Sequence, residues 1–477
     1  MAVTQSSPAH AKIALFRAIF RGREDVYPRR FESRKTGKSG YTPACAHEWV
    51  RGVCEKPRVK CSDCHQRRLL PVTDDVIAWH LSGTAGDGEP FVAGVYPLLA
   101  DETCYFLAID FDKVGWRDDS QAFLETCGRL SVPAALERSR SGHGGHVWIF
   151  FDSAIPAGLA RRLGSYLLTE TMESRPDVGL DSYDRLFPNQ DTMPQGGFGN
   201  LIALPLQKRA REQGNSVFLD DTFTPWADQW AFLASVGRVS RAHVEEITQD
   251  AERRGRILGV RLLPQEDVDD QPWAAPPSRH RKDPPIVGLL PKTLEVIHGN
   301  QLYIAKEGLH PGLRNRLLRV AAFQNPEFYK AQAMRLSTFD KPRIIACAED
   351  HAHHIGLPRG CLDEVCEILG NLGVSAVIRD ERYSGTSLDV TFHGELRPEQ
   401  DAAAKAMLAH ETGVLAATTA VAGMAVSPAS VRSQTTPLRS TQASIPISWS
   451  PRCGEYRIGA GPAPTNDRIL RQLPQGD

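Results

Sequence analysis

The chain has 477 residues, of which 41% are hydrophobic and 24% charged, with a net charge of −1. That is the balance of a soluble globular protein of two or three domains. It excludes a globally basic nucleic-acid binder, so any such surface must come from local clustering. No apolar run approaches the ~18 residues that span a bilayer.

The N-terminus, MAVTQSSPAHAKIALFRAIF, lacks the charged start and cleavage pattern of a signal peptide, which gives the expectation of a cytoplasmic protein. Residues 10–38 begin amphipathic (Ile13, Leu15, Phe16, Ile19, Phe20) and turn basic. Arg21, Arg23, Arg29, Arg30, Arg34, Lys35 and Lys38 are interleaved with Tyr27 and Phe31. Basic side chains mixed with aromatics grip a phosphate backbone and stack bases; a solvated helix face explains the same pattern.

Ten cysteines do not make a disulfide scaffold of so long a chain, but Cys45, Cys54, Cys61 and Cys64 cluster. The last pair has the C-x2-C spacing of a zinc knuckle and the first pair is looser, so the expectation is structural Zn²⁺ on four thiolates, with His47 and His65 as substitute ligands. Arg51, Lys56, Arg58, Lys60, Arg67 and Arg68 crowd this module and suit a template or product grip.

Beyond it the pattern predicts a helix near 74–82, strands at Phe91–Leu99 and Tyr105–Asp112, a helix at Ser120–Leu130, and strands at Ala134–Arg138 and His146–Phe151. A helix follows at Leu159–Glu173, with apolar Leu159, Leu163, Tyr166, Leu167 and Leu168, and then a closing strand at Leu201–Leu206. The order β-α-β-β-α-β is the split ferredoxin-like or RRM-like arrangement.

Within it, YFLAIDFDK places Asp110 and Asp112 on one strand face, because residues i and i+2 project the same way. Two adjacent carboxylates repel unless a cation lies between them, and their oxygens suit Mg²⁺ or Mn²⁺. A polar exit from a core strand is the plainer account of the pair. The turn at Gly142, Gly144 and Gly145 lets backbone approach a phosphate, with His146 beside it; a plain hairpin is the alternative. In GLDSYDRLFPNQDTMPQGGFGNLIALPLQ, Asp181, Asp184 and Asp191 are candidates for a third carboxylate, and Arg185, Gln190 and Asn200 for holding triphosphate or base. A polar surface loop accounts for each of them singly.

AIDFDK, SRSGHGGHVWIFF and LDSYDRLFPNQD followed by FGNLIALPLQ together resemble the three motifs of archaeo-eukaryotic primases, and most closely the primase domain of TOTE conflict systems, over roughly residues 12–245. The resemblance implies Asp110 and Asp112 as metal ligands and Asp184, with Asp181 second, as the third acid. It places Ser139, Ser141, Gly142, Gly144, Gly145 and His146 at the incoming nucleotide, His146 more as a phosphate holder than as a base. It also implies a metal-dependent primase-polymerase acting on NTP or dNTP and a DNA or RNA template. A separate helicase or nuclease of the same system is an implied partner, and no membrane is.

Residues 226–262 read as helical, and 264–292 as a charged, Pro-rich linker. From Leu294–Ile304 to Phe392 the pattern is that of a second α/β domain, with a helical stretch at 314–336, then KPRIIACAED, a strand, and a helix at Asp363–Leu372. LRPEQDAAAKAMLAHETGVLAATTA resembles the entry to a superfamily 2 helicase, with Gln400 at the adenine-reading position and Gly413–Ala417 as the strand before the phosphate loop. Thr418-Thr419-Ala420 then runs into VAGMAVSPAS without the Gly-Lys-Ser/Thr of a Walker A loop. The expectation is therefore a truncated, inactive helicase region.

The domains expected are a basic cysteine-rich region (1–84), an α+β primase core (85–262), a linker (263–292), the incomplete helicase-like α/β domain (293–420) and a tail of low periodicity (421–477). Two other readings compete: a nucleic-acid-binding module that does not polymerise, and an ATP-driven helicase, against which the missing lysine counts.

Overall fold

A computed structural model describes residues 3–33, 36–260, 285–383 and 396–409. The chain divides into two compact units, one of Met1–Gly259 with Gln324–Ile345, the other of Val260–Phe323 with Ala346–Asp477.

The first unit is built on a six-stranded sheet. Its centre is Thr103–Phe111 paired antiparallel to Gly145–Pro156. Leu107, Ala108 and Ile109, like Val147, Trp148 and Ile149, are fully buried, so neither strand has a solvated face. Uninterrupted apolar runs with β-branched and aromatic residues form such strands. Ala135–Arg138 pairs with the outer side of Gly145–Pro156 and carries Val217–Leu219 beyond it. Arg238–Val239 adds a short parallel pairing to Phe150–Phe151. Two helices, Trp116–Arg129 and Ala157–Thr171, make the crossovers. On the other face Phe20, at the end of helix Ala9–Ile19, packs edge-on against Trp148 and Phe150 at 5.1 and 5.6 Å.

The β-α-β-β-α-β order is present, but the strand that closes it is not Leu201–Leu206. Leu186–Phe187 takes the fourth position, pairing with Ala108 and Ile109. Only Ile202–Ala203 of the expected strand is extended in a ladder, and it pairs with Gly94–Val95 in a separate two-stranded sheet. The expected Phe91–Leu99 strand shrinks to those same two residues. Beyond that two-residue ladder the backbone bonds scatter to different partners: Leu204 N to the Ala93 carbonyl, Leu206 N to the Ser216 carbonyl and Leu99 N to the Thr103 carbonyl. The basic stretch after residue 20 forms a hairpin, Pro28–Glu32 with Ser39–Pro43, rather than a helix face; Arg34 and Lys35 lie outside the described residues. Arg21 there stacks on Tyr105 (4.3 Å), and Arg23 pairs with Asp25 (2.5 Å).

Helix Asp74–Ser82 carries a feature that sets a pH limit. Thr73 caps its start and Gly83, at φ 77°, ends it. Between them His80 is fully buried, its Nε2 donating to the Pro205 carbonyl (2.9 Å) while its Nδ1 accepts from the Ala93 amide (3.1 Å). The Nδ1 bond needs the neutral ring, and burial pulls the imidazole down to about 4 against the opposing pull of the Pro205 carbonyl. A folded value below the ordinary 6.5 means that the unfolded chain takes the proton first. This contribution is therefore complete above about pH 6.5 and is lost as pH falls towards 4. At 1.36 kcal/mol per unit it amounts to roughly 3 kcal/mol at most. Urea denaturation at pH 7 and 4.5 should show wild type losing more stability than His80→Gln over that interval; parallel losses would remove His80 from the account.

The second unit is a five-stranded sheet in the order Glu349–Asp350, His354–Leu357, Leu302–Ala305, Thr293–His298, Ser375–Asp380, the last pairing parallel. Helices Pro311–Val320 and Leu362–Asn371 supply Leu313, Leu317, Val365 and Leu369 to its core with Val296, Ile304 and Ile355. The helical stretch expected at 314–336 is broken. One helix ends at Val320, Ala322–Gln324 is a strand, and a second helix, Pro326–Ala333, starts with Asn325 accepting from Glu327 N and Pro at its first position. Gln400 lies in helix Pro398–Leu408, where its Oε1 accepts from Arg397 N. Gly413–Ala417 and the 421–477 tail fall outside the described residues, as does most of the 263–292 linker. Among the described residues no helix is long and apolar enough to cross a membrane.

Candidate active site

Strand register brings four charged groups into one line. Glu137 stands opposite His146, and His146 opposite Asp110, on adjacent strands. The amide of Asp110 donates to the carbonyl of Arg185 at the next position out. Glu137 is almost completely buried, and its carboxylate accepts from His146 Nδ1 (2.9 Å), Trp148 Nε1 (2.9 Å) and Ser216 Oγ (3.4 Å). Those bonds orient the imidazole so that its Nε2 lies 3.7 Å from Asp110 Oδ1. Burial works against a charged His146, but Glu137 and then Asp110 outweigh it and hold the ring above the usual histidine range. Burial, reinforced by Asp112 and Glu137, pushes the Asp110 carboxyl up against the pull of His146 and Arg185.

Asp112, just past the strand end, is the exposed partner, its side chain 53% accessible against 29% for Asp110. The Arg185 guanidinium ion-pairs with Asp112 and reaches Asp181 at 3.4 Å, while Lys113 bonds Asp181 at 2.7 Å. The glycine turn lies directly behind. A Cβ on Gly144 would meet the Phe111 carbonyl at 2.6 Å and Asp112 Cα at 3.2 Å, so only glycine lets this turn pass so close to the acids. Gly142 has φ +80°, Ser139 and Ser141 share a hydroxyl bond of 3.1 Å, and Gly145 sits against the Trp116 ring.

The structure thus brings Asp110, Asp112, His146, Arg185, Asp181 and the 139–146 turn together. Asp184 is placed differently: its Oδ1 accepts from Arg343 N (2.8 Å), and the charges that act on it most are Arg343, Asp181 and Arg185. Gln190 is buried and donates to Thr338 Oγ1 (2.9 Å), Asn200 braces Leu186 and Asn189, and Asp191 pairs with Arg161. Glu137 is the functional residue that sequence reading passed over; a glutamate two residues from buried Ala135 on a core strand was the available signal.

Among the described residues no group of three or more His, Cys, Asp or Glu is set as a metal site. The donor chemistry at the strand end nonetheless fits a divalent cation: two hard carboxylates lie near enough for Asp112 to help raise the Asp110 carboxyl, and positive charge from Arg185 is already drawn between Asp112 and Asp181. Cys45, Cys54, Cys61 and Cys64 carry free thiols that line one cavity together with His47; His65 is outside it. Thiolates are the residue type that zinc takes, but these four are spread around the cavity and are not gathered into one coordinating group. His47 Nδ1 is engaged with the Gln66 carbonyl at 2.7 Å.

A split βαββαβ sheet with paired acids and a glycine turn at one open end defines an α+β domain whose site is suited to a phosphate-bearing substrate. Residues 11–247 match the family model described as the TOTE conflict system, archaeo-eukaryotic primase domain, which supports nucleotidyl transfer in general as the chemistry of this part. Among solved structures, the polymerase domain from Mycobacterium tuberculosis ligase D in complex with DNA is similar at 12% identity, covering 52% of this chain and 88% of that one with a TM-score of 0.25. That similarity is too loose to carry an argument about the site. No curated protein matches.

Proposed function

We propose that the first unit is a metal-dependent primase-polymerase that joins an NTP or dNTP to a nucleic-acid 3′-hydroxyl on a DNA or RNA template. The observation that carries this is the Asp110–Asp112 pair set against a glycine turn and His146, inside the residues that match the primase family. Asp110 and Asp112 would hold Mg²⁺ or Mn²⁺, with Asp184 or Asp181 as the third acid. Such a cation, when bound, lowers the pKa of the attacking hydroxyl and offsets charge on the leaving pyrophosphate.

The chain's own residues do the rest. His146, oriented by Glu137 and held by it above the usual histidine range, would present its Nε2 edge to a phosphate oxygen, with an N–H to donate whenever the ring is protonated. The 142–145 turn brings backbone amides close to the same phosphate. Arg185 exchanges its carboxylate partners for triphosphate oxygens. The test is template-directed incorporation of labelled NTP and dNTP by the full chain with Mn²⁺ or Mg²⁺. Retained binding of single-stranded nucleic acid without incorporation would favour a binding module instead.

The cysteine cavity would hold one structural Zn²⁺ and present Arg51, Arg58, Lys60 and Arg68 to nucleic acid. Metal analysis should return one zinc per chain. Cys61→Ser should lower both the zinc content and the thermal midpoint, and a zinc-free wild type with an unchanged midpoint in Cys61→Ser would rule the site out. The second unit has a helicase-like reading on sequence alone, and without a Walker A lysine it would not act as an ATP-driven motor.

A further inference from the structure

The compact first unit contains a segment far along the chain, Gln324–Ile345, that lies outside the family match. It opens and closes on the short ladder of Ala322–Gln324 with Ile344–Ala346, and between them it runs along the loop that carries the third-acid candidates. Gln332 clasps Asp191 twice, its Oε1 accepting from Asp191 N and its Nε2 donating to Asp191 Oδ2, both at 3.1 Å. Its carbonyl takes the Thr192 hydroxyl at 3.1 Å. Thr338 Oγ1 accepts from Gln190, the amide of Arg343 donates to Asp184, and the Arg343 guanidinium donates to the Asn189 carbonyl. Arg335 pairs with Glu102 at 2.5 Å, and its carbonyl receives Gln195 N at 2.9 Å.

These contacts are interior. Gln190, Gln332, Thr338 and Arg343 are each buried, and Arg343 is fully enclosed, stacked 4.3 Å from the Phe328 ring. A buried side-chain donor that loses its acceptor bears the full desolvation cost, so each bond fixes its partner firmly.

We propose that residues 324–345 are a positioning element of the nucleotide site, holding the 184–195 loop in the conformation that binds metal-bound nucleoside triphosphate. The proposal rests on the nucleotidyl-transfer reading. It assigns Gln332, Thr338 and Arg343 roles exerted through Asp191, Gln190 and Asp184, not through contact with substrate. Residues 186–195 have no helix or long strand of their own to set their shape; Leu186–Phe187 is their whole ladder. The segment supplies the missing frame from more than a hundred residues downstream.

The test uses the full chain and four proteins: wild type, Thr338→Ser, Thr338→Val, and Gln332→Leu combined with Thr338→Val. Thr338→Val keeps the shape and removes the only acceptor described for Gln190; Thr338→Ser restores a hydroxyl. The probe is Mn²⁺ with ATP, its affinity measured by calorimetry, alongside hydrogen exchange of the 184–195 peptide and the KM and kcat of incorporation. Thr338→Ser should behave as wild type. The double variant should show faster exchange confined to that peptide and about tenfold weaker Mn²⁺·ATP binding, a ratio equal to about 1.4 kcal/mol. KM should rise in proportion while kcat changes less. Unaltered affinity and KM, even with a lowered thermal midpoint, would reduce the segment to a structural prop and overturn the proposal. Wild type that binds Mn²⁺·ATP without incorporating it, with the variants weakened as expected, would overturn the transfer reading and leave the positioning element standing. Wild type that does not bind the probe would overturn both.

Discussion

Replacing Asp110 and Asp112 together by asparagine is expected to lower template-directed incorporation roughly 10³-fold or more while leaving the fold intact. The size follows from what preorganised charge contributes to a transition state, where removing even one oxyanion-hole donor costs ~10²–10³. The two positions should not contribute alike to stability. Asp110 is partly buried with its carboxyl pushed up by that burial, so its ionised form is disfavoured in the folded chain. Asp110→Asn removes that penalty, and the thermal midpoint at pH 8 should hold or rise. Asp112 is more exposed and ion-paired with Arg185, so Asp112→Asn should leave stability near the wild-type value, as exposed pairs usually contribute under about 1 kcal/mol. Activity assays beside thermal melts check both halves. Full incorporation by the double variant would refute the site; loss of activity with unfolding would show only that the acids support the strand end.

The second large effect is at Glu137. Glu137→Ala should cost about 3–5 kcal/mol, the range for breaking a buried charged network by removing one partner. His146 Nδ1 and Trp148 Nε1 both lose their acceptor, in a place water reaches poorly. Glu137→Gln separates charge from shape. It keeps one acceptor oxygen, so its cost should stay near 1–2 kcal/mol, yet it deprives His146 of the largest influence raising its protonation. The imidazole should then titrate lower, since burial is left opposed mainly by Asp110. The sign of the stability effect follows. A histidine raised in the folded state contributes below its unfolded value, and the contribution fades as pH climbs through the folded value. The gap between wild type and Glu137→Gln should accordingly be widest in acid and narrow in alkali. NMR titration of the His146 ring tests this directly, and an unmoved titration would break the link between the two residues.

What could be read from sequence and what could not divides on physical lines. Asp110, Asp112, His146 and the glycine turn were legible because strand alternation and the need for close backbone approach are local properties. The crossover helix Ala157–Thr171 was legible for the same reason, through its apolar stripe of Leu159, Leu163, Tyr166 and Leu167, whereas the buried face of Trp116–Arg129 mixes Phe123 and Cys127 with Asp119, Ser120 and Thr126. Leu186–Phe187 was not: two residues carry no periodicity, and its place in the sheet depends on a partner strand nearly eighty residues earlier. The broken helix at 314–336 had a local signal, the Asn325-Pro326 start, that the surrounding apolar spacing obscured. The docking of Gln332, Thr338 and Arg343 had none, because polar residues on a short helix and loop look like any solvated surface until the chain folds back.

The line Glu137–His146–Asp110 has a consequence for how the sheet assembles. Leu107–Ile109 and Val147–Phe151 are buried on both faces, so sliding one strand past the other would replace apolar contacts with apolar contacts and meet little resistance. The charged line removes that freedom. A slip of one residue would turn Asp110 and His146 to opposite faces and strand the Glu137 carboxylate against hydrocarbon. The groups that would handle the nucleotide therefore also serve as the key that sets strand alignment. Substitutions that neutralise the whole line at once should yield a chain that still collapses but settles into more than one pairing.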